Sequence, residues 1–319
     1  MQIARRDVLT MMAAALAGMQ AGHAWGQGLD GIATVIVPYA PGVTDREVRA
    51  LAPMLRPKLG QAVVVDNRSG AGGAIGARAV AQAHPDGRTL LYAAAAVATV
   101  LPLLPNAAYA FEDLVPLARV TNNTHVLACR TDAPYRDFAA MLAYARANPE
   151  KIAFASSGAG TAVHLAGEAM AQAAGVQILH APFQGLAPAM TAVLGGHADF
   201  VIGLPVAIMP AVRDGRLRAL VQFGAERSPF APDVPTLRES GVDLVQGVDI
   251  GFFAPRNLPA ATTALWVDAV REGVASAEFR EFAQRAQVSA AFLPPDGFAR
   301  EVQRDRDIYR GLIPRLNLT

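Results

Sequence analysis

The sequence holds a single cysteine, Cys129, in 319 residues, which excludes an internal disulfide and any multi-cysteine metal or redox motif. Only 17% of residues are charged and the formal net charge is +1. No basic excess exists to neutralise phosphates, so a dedicated nucleic-acid binder is excluded as well. His84, His125, His180 and His197 lack the spacing of metal ligands, and no pair of carboxylates stands out as in a glycosidase. The chain has no repeat of fixed period and no linker rich in Gly, Ser or Pro. Beyond residue 26, no stretch reaches the roughly 18 uncharged apolar residues of a membrane span. Apolar residues are plentiful: 52% of the chain is hydrophobic and the mean hydropathy is +0.26. That composition rules out a disordered chain and suffices for the cores of about two domains.

Arg5 and Arg6 precede the apolar run Val8 to Met19, which is too short to cross a bilayer at about 20 residues. Small residues then offer cleavage after Ala24 or Gly26. Residues 1–26 are thus expected to be an export signal, compatible with either the twin-arginine or the Sec route. A retained amphipathic helix is the bland alternative. Removal takes away Arg5, Arg6 and Asp7 and leaves a neutral mature chain, expected in the periplasm.

Strand and helix signals then alternate. Ile32–Val37 is a short β-branched run ending at Pro38. Thr44-Asp45-Arg46-Glu47 has the spacing of a capping box, with Val48, Leu51, Leu55 and Leu59 at helical spacing and Gly60 as the stop. Pro53 is expected to kink or divide that helix. Further strands are expected at 62–66, 89–93, 126–130, 152–155, 178–182, 200–203 and 217–223. Helices are expected at 74–83, 138–147, 162–174, 187–194, 206–213, 260–276 and 295–310. Such alternation predicts an α/β protein of mainly parallel sheets flanked by helices.

Three loops invite a chemical reading. Asp66 to Gly76 joins a strand to a helix, but its glycines at 70, 72, 73 and 76 do not make a dinucleotide fingerprint, and a structural turn is the better account. Ser156-Ser157-Gly158-Ala159-Gly160-Thr161 also leads into a helix. Two glycines and three hydroxyls at a helix N-terminus make a cradle for an anion, beyond the cap that Thr161 alone supplies. The loop Tyr39-Ala40-Pro41-Gly42, with Thr44 after it, is the second cradle, at a strand's C-terminal end where open α/β sheets bind ligands. A proline-stiffened connection is its bland alternative. A serine hydrolase would need Ser156 or Ser157 with His164 and Asp199, yet no nucleophile elbow surrounds either serine. Asp233, between Pro232 and Pro235, reads as part of a rigid turn.

The collinear stretches PYAPG (38–42), GQAVVVDNRSGAGGAIGA (60–77), PDGRTLL (85–91), FASSGAGTAVHLAGE (154–168), APFQGLAPAM (181–190), LGGHAD (194–199), GRLRAL (215–220) and ERSPFAPDVPTLRESG (226–241) resemble the Bug-type receptors of tripartite tricarboxylate transporters. The resemblance implies a two-lobed periplasmic binding fold of type II, with a small carboxylate in the cleft. It implies no catalysis and no cofactor, and as partners the transporter's membrane subunits; a sensor protein is the alternative. A monomer is expected. The implied lobes are 30–122 plus 224–319, and 123–223, with crossings near 120–125 and 222–226. The implied ligand contacts are Tyr39, Ala40, Pro41, Gly42, Thr44, Ser156, Ser157, Gly158, Gly160, Thr161, His164 and Gly203. Three departures border the cleft: no second glycine follows Gly42, Ala93 to Ala96 replace a polar loop, and Gly203 stands where many members carry an acid. A less polar pocket follows, suited to an acid with an apolar body more than to an amino acid.

Overall fold

The computed structural model describes residue 29 and residues 31–316, so the expected export signal at 1–26 lies outside the described residues. Eleven strands among the described residues form two sheets. The first has the order β2 (Val63–Asn67), β1 (Ala33–Val37), β3 (Thr89–Ala94), β10 (Gly247–Pro255), β4 (Leu114–Thr124) and β11 (Ala290–Leu293). The second has the order β7 (Leu179–Pro182), β6 (Ala153–Ser156), β8 (Phe200–Gly203), β5 (Val126–Arg130) and β9 (Leu217–Gln222). The helices are α1 (Val43–Leu59), α2 (Ala74–Ala81), α3 (Ala96–Thr99), α4 (Phe138–Ala147), α5 (Ala162–Ala174), α6 (Leu186–Leu194), α7 (Pro205–Arg213), α8 (Ala260–Ala275), α9 (Ala277–Ala286) and α10 (Pro295–Leu312).

Each sheet is buried on both faces, which is why its inner strands read as continuous apolar runs. Leu51 and Leu55 of α1 pack with Trp266 and Val270 of α8 on one face of the first sheet. Ala77 and Val80 of α2 pack with Phe298 and Val302 of α10 on the other. In the second sheet, Met141, Leu165 and Met170 cover Phe154 and Phe200, while Val193 and Ile208 cover Val126 and Val201.

Both sheets are mixed rather than mainly parallel. β1 runs parallel to β2 and β3, and β6 to β7 and β8, through helical crossovers. β4 and β10 are antiparallel because one carries the chain out of the first sheet and the other brings it back: Thr124 pairs with Gly247. β5 is likewise antiparallel to β8 and β9.

Only His125 separates β4 from β5, so the chain passes directly from the first sheet to the second there. Beyond β9 the chain stays against the second sheet. Ala231 and Val234 are buried with Val126 and Ala128, and Leu237 and Leu244 with Phe200 and Phe223. Residues 223–246 therefore pack on the second sheet before the chain rejoins the first at Gly247.

The expected start of α1 fails. Gly42, not Thr44, stands at its N-cap, without a side-chain cap, and Glu47 turns inward. The tyrosine hydroxyl of Tyr92 donates to Glu47 at 3.0 Å, and Thr121 Oγ1 lies 3.4 Å away. A cap would have left this carboxyl at the surface; instead burial pushes it up to about 7. Pro53 does not divide the helix, which runs on through Pro53 and Pro57 to Leu59. Both prolines are exposed, so the carbonyls they leave unpaired face water while Leu51, Leu55 and Leu59 hold the buried face. Gly60 ends the helix in the left-handed region (φ +71°), donating to Arg56 O.

Candidate functional site

The loop after β6 is folded upon itself. Thr161 caps α5, its hydroxyl oxygen accepting from His164 N at 3.3 Å and donating to Gly158 O at 2.8 Å. Gly158 (φ +140°) and Gly160 (φ +72°) hold backbone conformations that a side chain would strain. Ser156 is buried: its Oγ accepts from Gly158 N at 3.1 Å and lies 2.6 Å from His180 Nε2. Gly160 N donates to His164 Nδ1 at 3.0 Å, and His164 stacks on His180 with centroids 3.6 Å apart. Burial, with His164 beside it, pushes the His180 imidazole down to about 4. The carbonyls of Ser156 and Ser157 accept from Phe183 N and Gly185 N, which pins the loop to the next strand-to-helix turn. The first N–H groups of α5, Ala162 and Val163, have no carbonyl within the helix to bond.

The loop after β1 is open by contrast. Ala40, Pro41 and Gly42 are exposed, and Thr44 is half-buried. Its anchor is Asn67, whose Nδ2 donates to Tyr39 O at 3.0 Å and whose Oδ1 accepts from Arg49. The glycine-rich turn 70–76 packs closely beneath it, and its Ala71 and Gly72 also line the cavity between the sheets. A Cβ on Gly76 would stand 2.8 Å from Arg68 O and 2.9 Å from Pro38 Cα. One on Gly73 would stand 3.3 Å from Tyr39 Cε1.

Both loops reach one cavity of about 960 Å³ between the sheets. Of the expected contacts, Tyr39, Gly160, Thr161 and His164 line it. Ala40, Pro41, Gly42, Thr44, Ser156, Ser157, Gly158 and Gly203 do not. Gly203 is buried against other side chains: a Cβ there would stand 2.8 Å from Leu186 Cδ2 and 3.3 Å from Ile208 Cδ1. The alanine run does border the cavity. Ala94, Ala96, Val97, Val100, Leu101 and Leu104 make an apolar wall, because the chain turns into α3 at this point. Burial pushes the Tyr39 phenol up to about 12, so it faces the cavity uncharged.

Sequence reasoning missed Glu168, His180, Arg315 and Leu316 as lining residues. Glu168 lies two turns into α5, one turn beyond His164 on the same face. His180 is brought in by the register of β7, where it pairs with Phe154. Arg315 and Leu316 arrive because Tyr309, Leu312 and Ile313 pack into the core beneath α5. None of these carries a local sequence signal.

The hydrolase grouping does not assemble. His164 Nδ1 is occupied by Gly160 N and its Nε2 lies 3.6 Å from Glu168 Oε1, while Asp199 accepts from Ala153 N at 2.7 Å.

A two-sheet α/β chain with helix-capping loops opening on a shared cavity is the architecture of solute-binding receptors. The family described as tripartite tricarboxylate transporter family receptor matches residues 48–318, and the chain belongs to it. Protein BugT of Bordetella pertussis is 35% identical over 285 residues, spanning 86% of this chain and 87% of BugT. A TctC solute binding protein from Polaromonas superposes with a TM-score of 0.83 at 29% identity, over 89% of this chain and 98% of its own. An R. palustris protein solved with adipate superposes at 0.70 with 25% identity, over 91% of this chain and 97% of its own. The family's proteins are substrate-binding receptors, not enzymes.

Proposed function

We propose that the mature protein is a periplasmic receptor that captures a carboxylate with an apolar body in the cavity between its sheets and delivers it to membrane transporter subunits. The observation that carries this is the one cavity lined at once by Tyr39, by Gly160, Thr161 and His164, and by the apolar wall from Ala94 to Leu104. Its anion end is made of N–H groups at the start of α5. Backbone N–H groups at a helix start favour an anion through the dipole of the helix. The lobes then divide at His125 and at Gln246, where the chain changes sheets. The adipate-bound relative, a diacid with a four-methylene body, fits the same reading.

The apolar wall sets a length preference. Each methylene buried contributes about 0.8 kcal/mol, so three more contribute roughly 2.4 kcal/mol, about 60-fold in affinity. Calorimetry with protein lacking residues 1–26, titrated with straight-chain acids of rising length and with the matching alcohols, tests both parts. Acids should bind and alcohols should not, with affinity rising along the series. Equal binding of alcohols would remove the anion site from this reading, and a flat length series would remove the apolar wall.

A further inference from the structure

In the structure, the loop that should greet the ligand is already bonded to its own histidine. Gly160 N donates to His164 Nδ1 at 3.0 Å, and both residues line the cavity. A ring nitrogen that accepts a hydrogen bond carries no proton. The neutral ring therefore bears its hydrogen on Nε2, which lies 3.6 Å from Glu168 Oε1. A carboxylate oxygen placed on Gly160 N–H would compete with the Nδ1 lone pair and be repelled by it.

We propose that a carboxylate binding to the Gly160–Thr161 loop brings one proton with it, and that His164 Nδ1 receives that proton. The inference rests on the carboxylate reading above. In the step, a solvent proton bonds to Nδ1 and the Gly160 N–H···Nδ1 bond breaks. Gly160 N–H and His164 Nδ1–H then both donate to the ligand. The imidazolium lies between the ligand's charge on one side and the Glu168 carboxylate on the other.

The groups that face His164 from the surrounding elements decide which of the two stacked rings takes the proton. His180, from β7, is tied by Nε2 to Ser156 Oγ at 2.6 Å and is held neutral by burial and by its neighbour. Phe154, from β6, stacks on His164 and brings no charge. Tyr39, from the first sheet, is uncharged. Arg315, from the segment after α10, lines the same cavity and opposes a second cation there, while drawing the anion in. Glu168 is the acid in the lining, and it stands at the His164 ring.

The sign of the linkage is fixed. A bound state that holds one proton more than the free state binds more tightly as pH falls, by up to about tenfold per unit. The test titrates straight-chain mono- and dicarboxylates of two to eight carbons into the protein by calorimetry, in two buffers of different ionisation enthalpy. Proton uptake on ligand binding, and a rise in affinity as pH falls, is expected. His164→Phe keeps an aromatic ring on His180 and should bind without proton uptake and without pH dependence; His180→Phe should keep the uptake. Binding by the natural protein with no proton uptake overturns the inference and needs no variant. Uptake that persists in His164→Phe overturns it too. If none of these acids binds, the carboxylate reading itself has failed.

Discussion

The two strand-to-helix loops at the cavity have the same place in their sheets and opposite internal chemistry. The loop after β6 satisfies itself: Thr161 caps α5, Ser156 holds Gly158 and His180, and His164 holds Gly160. The loop after β1 has no side-chain cap, and Glu47, the residue spaced to serve one, is buried beneath it. A loop whose backbone is held in place by its own side chains keeps the start of α5 in position for an anion, at the cost of exchanging the Gly160 N–H bond to His164. The open loop adds one aromatic wall, Tyr39. Most of the anion affinity should therefore sit on the second sheet.

The sharpest way to break this comparison is to place an acid on the buried Gly203 of the second sheet. Gly203→Asp must push its side chain into Leu186 and Ile208, and should destabilise the fold by about 3 kcal/mol or more in urea denaturation. A stable, ligand-binding variant would mean that the second sheet's loops are looser than their contacts indicate.

Next is the buried acid under the open loop. The folded chain keeps the Glu47 proton up to about pH 7, while an unfolded chain releases it near 4.5. Stability from this group is full below that lower value, declines as pH rises through the window, and falls no further above it, a loss of roughly 3 kcal/mol at about 1.4 per unit. Glu47→Gln cannot ionise and should lack this decline when denaturation at pH 5 and at pH 8 is compared with the natural protein. Identical pH slopes would show that the carboxyl is not held neutral.

Thr161→Val removes the hydroxyl that caps α5 and donates to Gly158 O, and should cost about 0.5–2 kcal/mol of stability in urea denaturation while weakening carboxylate binding by calorimetry. Arg315→Ala removes an exposed cation from the wall and should weaken acids about two- to fivefold at low salt, and less at high salt. The smallest effect belongs to the open loop. Gly42→Ala changes an exposed residue whose φ of −171° any residue adopts, so stability should stay within about 0.5 kcal/mol and affinity should hardly move.

Much of the fold was legible because the inner strands are short β-branched or apolar runs bounded by Pro or Gly, as in Ala33–Val37 before Pro38. The strands that link the sheets hid for the opposite reason. β4 contains Pro116, Arg119, Asn122 and Asn123, and β10 opens with Gly247 and Asp249, so neither shows a clean period. Of the cavity lining, Gly160 and Thr161 could be found because left-handed backbone and helix caps leave local signatures. His180 and Arg315 could not, since β-sheet register and the docking of α10 bring them in. Glu47 shows the limit of spacing alone: Thr44-x-x-Glu47 fits a capping box, and the burial of Tyr92 and Thr121 decided otherwise.

The pairing of Thr124 with Gly247 also sets an order of assembly. As the chain is made, β1, β2 and β3 emerge early, but their neighbour β10 does not exist until the whole second sheet has been synthesised. The early half-sheet therefore waits with the edge of β3 unpaired, and closing so long a loop is slow. The second sheet lies within one continuous stretch and can form first. A chain folding this way exposes its vulnerable edge longest on the side that builds the β1 loop, and circular permutation that joins the old termini and starts the chain ahead of β4, so that β10 is made before β3, should shorten that wait.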